Sequence, residues 1–164
     1  MAHESGIPGS AGGAGRAGWL GAIRLYLAAI LAANFGWEIA QLPLYTIWWE
    51  AAASDIVFAL IHCTLGDVVI GAACLVLALV LFGTRRWPSD ECSFARVAVT
   101  AVGLSIVYTI YSEWLNVRVL ATWQYTTAMP VLPPLGIGLA PLLQWIVIPP
   151  ASFWLTWRKV CLAR

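Results

Sequence analysis

Charge is what this sequence has least of. Asp, Glu, Lys and Arg make up 10% of its 164 residues, while 61% are hydrophobic. A soluble domain carries about 25% charged residues. So few cannot coat a water-exposed globule, which excludes a soluble fold. The net charge is +1, and the basic residues come in ones and twos. That excludes the basic stripe of a nucleic-acid binder. Histidine is nearly missing too: there is His3, near the N-terminus, and His62. Bis-histidine haem within one chain is therefore excluded, and nothing points to a nucleotide. Cys63, Cys74, Cys92 and Cys161 form no CxxC pair, so no disulfide framework is expected. Each reads as a small apolar residue.

Long apolar runs take the place of charge. A helix needs about 20 apolar residues to cross a bilayer. Residues 20–45, 56–83, 95–117 and 134–157 supply four such runs. The expectation is an all-α, polytopic integral membrane protein. Its four-transmembrane-helix bundle is a single domain over residues 19–159. Residues 1–18, rich in Gly and Ala, read as a disordered tail, and 160–164 as a second tail. The first run is too long for a signal peptide and is interrupted by Glu38. No internal repeat is visible, which weakens an inverted-repeat transporter.

Eight of the nine basic residues fall on one side of these spans: Arg16, Arg24, Arg85, Arg86, Arg96, Arg158, Lys159 and Arg164. Only Arg118 falls on the other. The positive-inside rule puts both termini in the cytoplasm. Trp19, Trp87, Trp154 and Trp157 then mark the inner interface, and Trp48, Trp49, Trp114 and Trp123 the outer one. Ala, Gly, Trp and Arg usage suggests a GC-rich bacterial genome, hence an inner membrane. Residues 118–133 are amphipathic and fit either an interfacial lid over the outer mouth or a plain connecting loop.

Polar residues interrupt every span. Asn34, Glu38 and Gln41 lie in the first, on a stripe with Tyr45 at i, i+3/i+4 spacing. His62 and Asp67 lie in the second, about 140° apart around the helix. In the third, Ser105, Tyr108, Thr109, Ser112 and Asn116 make a polar stripe with Glu113 beside it. Gln144 lies in the fourth. With about 1.5 Å of rise per residue, the clusters share the outer half of the bilayer, facing the periplasm. The inner half is almost wholly apolar. Ionisable groups at such depth are expensive and mark functional sites by default. Pro43, Pro141, Pro149 and Pro150 free nearby carbonyls. Residues 133–141 are poor helix formers, read as a re-entrant start to span four or a kinked helix.

Three chemistries compete. The first is an intramembrane enzyme on a lipid-like or small amphiphilic substrate. Glu38, His62, Asp67 and Glu113 would be its catalytic acid–base set. The same four could ligate iron, zinc or manganese, although neither Glu-x-x-His nor HExxH is present. Protease signatures are missing: no GxSG surrounds Ser112, and Thr64-Leu65-Gly66-Asp67 lacks GxGD. Asn34, Gln41, Tyr45, Tyr108, Ser112, Asn116, Trp123, Tyr125 and Gln144 would bind the substrate. The second is a non-enzymatic subunit that binds a lipid or quinone headgroup or assembles with another membrane protein. The third is an ion or proton-coupled transporter component, which the dry inner half disfavours. Membrane lipid is the expected partner in all three.

Overall fold

The computed structural model describes residues 11–160. Residues 1–10 and 161–164, which hold most of the two expected tails, lie outside them. Helix α1 (Ala11–Gln41) starts within the segment read as tail and stops just before Pro43. A 3-10 turn (Leu42–Leu44) with the proline in its first turn follows, where a missing N–H goes unnoticed. A single turn, α2 (Ile47–Glu50), leads into α3 (Ala53–Phe82). Helix α4 (Glu91–Trp114) ends in a π-helical turn, Leu115–Val119. Two short strands, β1 (Val131–Leu132) and β2 (Ile137–Gly138), pair antiparallel before α5 (Leu139–Val160).

Among the described residues four stretches are long and apolar enough to cross a membrane: Gly18–Leu44, Ala53–Phe82, Glu91–Val119 and Leu139–Lys159. They form a ring. α1 lies beside α3 and α5, and α4 lies beside the same two. Large apolar side chains cover the outside of the ring. On α3 alone Val57, Phe58, Ile61, Leu65, Val69 and Val80 are exposed. Such an apolar surface suits a hydrocarbon solvent.

The two ends of the ring differ. Around the α3–α4 connection the core is apolar, with Tyr26, Ile30, Leu75, Val97 and Phe153 buried. Rings interlock there: Tyr26 lies 4.4 Å from Phe153, Phe94 4.9 Å from Trp157 and Trp19 5.0 Å from Trp87. Such pairs contribute about 0.5–1.5 kcal/mol each beyond area burial. Gly71 lets α3 approach α1, since a Cβ there would sit 3.3 Å from Ile30 Cγ2. The connection is tied at both helix ends. Asp90 caps α4 by accepting from the Ser93 amide at 3.2 Å. The Ser93 hydroxyl donates to the Phe82 carbonyl at 3.1 Å, near the end of α3. These bonds satisfy groups that helix ends leave open.

The other end is polar and covered. Span four begins at Leu139 rather than 134, because residues 131–138 make a hairpin. Neither a re-entrant helix nor a kinked one forms over residues 133–138. Pro141 sits in the first turn of α5, where its lost donor has no intrahelical partner to miss.

Candidate functional site

Asn34, Glu38 and Gln41 are one helical stripe, and all three are buried. Their spacing turns them toward the ring interior. Asp67 faces them from α3 and Gln144 from α5, both buried. Gln144 is the hub. Its amide nitrogen lies 2.7 Å from Asn34 Oδ1, 2.8 Å from Asp67 Oδ2 and 3.1 Å from Glu38 Oε1. Its oxygen accepts from Gln41 Nε2 at 3.2 Å. Gln41 Nε2 also donates to Glu38 Oε1 at 2.8 Å. The Trp37 indole, which the sequence reading overlooked, donates to Gln41 Oε1 at 3.2 Å. It lies one turn from Gln41 on the same helix, so i, i+4 spacing alone could have found it.

The Glu38 and Asp67 carboxyls are within hydrogen-bonding reach of each other. Among the described residues no Lys, Arg or His acts on either carboxyl. The pair is held by the amides of Gln41 and Gln144.

Glu113 forms a second centre. On α4 the inward stripe is Ser105, Thr109 and Glu113, all buried and four residues apart. Ser105 and Thr109 turn their hydroxyls back onto their own helix, at 3.0 Å from the Ala101 carbonyl and 2.9 Å from the Ser105 carbonyl. That corrects the expected stripe: Tyr108 is exposed, while Ser112 and Asn116 are half-buried and bonded to each other. Glu113 accepts from the Tyr125 hydroxyl. That hydroxyl in turn accepts from the Gly138 amide at 2.8 Å. Gly138 is small for a reason: a Cβ there would lie 3.1 Å from Tyr125 Oη. The Trp123 indole lies close to Glu113, yet its N–H is buried without a hydrogen bond among the described residues.

Tyr45 stands between the centres. Its ring meets Tyr125 edge-on at 5.5 Å. Burial, then the negative charge of Glu113, raises its hydroxyl well above the ordinary tyrosine range. Tyr125 is raised as well, first by burial and then by its bond to Glu113. Both hydroxyls thus stay protonated as donors at any physiological pH.

His62 is not part of this arrangement. It is exposed on the outer face of α3 and stacks on Phe58, ring centres 5.6 Å apart. Five residues separate it from Asp67, so the turn of the helix that buries one exposes the other. The four-residue metal set expected from sequence is therefore not assembled. Among the described residues no group of three or more His, Cys, Asp or Glu side chains could hold a metal ion. Carboxyls bridged by amide N–H donors do not fit a divalent cation, which needs several converging oxygen or nitrogen lone pairs.

No protein-family model matches the chain, and no curated protein or solved structure is similar to it.

Proposed function

We propose that the chain is an intramembrane enzyme that performs acid–base chemistry on an amphiphilic substrate. Its place is a bacterial inner membrane, with both termini cytoplasmic and the site toward the periplasm. The observation that carries this reading is the buried Glu38–Asp67 carboxyl pair, joined through the Gln144 amide. A layer needed only to hold helices together is served by neutral amides, at about 0.6 kcal/mol per contact. A buried carboxylate costs several kcal/mol, and this bundle carries three carboxyls, the central two with no counter-cation acting on them among the described residues. Paired carboxyls offer a proton donor beside a proton acceptor, the pairing that general acid–base catalysis uses.

In this reading Gln144 and Gln41 fix the pair, and Glu113 is a third proton-exchanging group beneath Tyr125. The apolar core at the far end supports a pocket with one mouth over a conduit. The substrate approaches from the end covered by residues 120–138.

Native mass spectrometry of protein taken from its own membrane tests the reading. Glu38→Gln and Asp67→Asn keep shape while removing the acid. Each is expected to retain an amphiphile whose mass differs from that held by the wild type, as substrate differs from product. One identical retained mass in all three proteins would make the site a binding site. No retained mass in any of them would leave the polar layer as a packing device.

A further inference from the structure

We propose that residues 120–138 are a hinged lid, and that Tyr125 is its latch. The segment carries a small hairpin of its own. The β1–β2 hairpin closes on the Leu132 carbonyl through the Gly136 amide at 2.8 Å, and the Leu139 amide bonds the Pro130 carbonyl at 2.7 Å. Its backbone meets the body of the bundle at two places. Near its start the Thr122 amide donates to the Asn116 carbonyl at 2.9 Å. Further along is a small bridge to the end of span one. The Thr46 amide donates to the Gln124 carbonyl at 3.0 Å, and the Thr126 amide to the Leu44 carbonyl at 2.9 Å.

Within that bridge sits Tyr125, and its hydroxyl is used twice. It donates to Glu113 on α4 and accepts from Gly138 at the far end of the lid. One side chain thus ties the lid's middle to its end and both to the bundle. Removing this hydroxyl would leave a carboxyl oxygen and an amide N–H without the partner they share.

The start of the segment is built to turn. Ala121 has φ of 51°, a left-handed conformation that non-glycine residues rarely adopt, and it lies two residues past the π-helical end of α4. Gly136, with φ of 65°, makes the turn of the β1–β2 hairpin, where only a glycine leaves room for the Arg118 guanidinium. At Ala121 that conformation is strained, so a change of its backbone angles relieves strain as the lid swings. Opening would part the Tyr45–Tyr125 rings and uncover Glu113. The acceptor of the latch is a carboxyl of the proposed site, so the lid closes over the groups it controls. The lid does not depend on the site being catalytic; a binding site would be gated in the same way.

Hydrogen–deuterium exchange on the full chain in lipid nanodiscs tests this. Three variants are compared with the wild type. Tyr125→Phe removes the hydroxyl. Gly138→Ala keeps the hydroxyl but sets a methyl against the ring. Tyr111→Phe, an exposed tyrosine on α4, is the control. The first two are expected to raise exchange about tenfold in peptides spanning 122–138 and 44–46, a single lost hydrogen bond. The core of α5, around residues 148–156, should keep wild-type protection. Maleimide labelling of half-buried Cys63, which lies near Tyr45, should accelerate in parallel. Wild-type exchange in the lid of Tyr125→Phe would overturn the latch. So would an equal rise in the α5 core, since Tyr125 would then staple the whole fold.

Discussion

Gln144 holds more of the site than any of its acids. Two amide hydrogens serve three acceptors on two other helices, and the amide oxygen takes a bond from Gln41. Replacing it with leucine keeps the volume and strands Asn34, Glu38 and Asp67 in hydrocarbon. Each buried group left without a partner costs about 1–3 kcal/mol. Gln144→Leu is therefore expected to lower stability by more than Asn34→Leu, which removes one acceptor. Unfolding in a detergent series with rising denaturing fraction would rank the two variants. At this scale the sequence was informative about identity and silent about pairing. Asn34, Glu38, Gln41, Asp67, Glu113 and Gln144 stand out in apolar surroundings, and all six are buried. Nothing local indicates that Gln144 reaches Asp67, because the contact joins residues on opposite sides of the ring.

Each helix of the ring has two helical neighbours, so a narrow arc is buried and the rest meets lipid. Two residues about 140° apart do not both fit in an arc about 100° wide. This is why α3 buries Asp67 and exposes His62, and why α4 buries Glu113 and exposes Tyr108. The same polar residue types fall on both faces, and composition cannot separate them. It follows that His62→Leu should fold and function like the wild type, or gain slightly in stability, whereas Asp67→Leu should not. Side-by-side thermal unfolding and amphiphile retention of the two variants would show it; a damaged His62→Leu would return the histidine to the site. Helix positions were readable because runs of about 20 apolar residues have few other uses. The β1–β2 hairpin was not, since two-residue strands are too short to display a period.

Four spans in a ring, each antiparallel to its neighbours, place the α1–α3 and α4–α5 connections at one end and the α3–α4 connection at the other. The bundle was legible from hydropathy; its sidedness rests on charge. Cys92 is exposed at the start of α4, on the end proposed to face the cytoplasm. In a variant keeping only this cysteine, a membrane-impermeant maleimide is expected to label permeabilised cells and to spare intact ones. Labelling of intact cells would invert the assignment. The ring also sets an order of events during synthesis. Glu38 and Asp67 enter the bilayer with the first two spans, while the amide that satisfies them arrives with the last. Until α5 leaves the ribosome, Glu38 has the Gln41 amide while Asp67 lacks its Gln144 donor. Insertion of the final helix is therefore expected to be the step that stabilises the earlier ones.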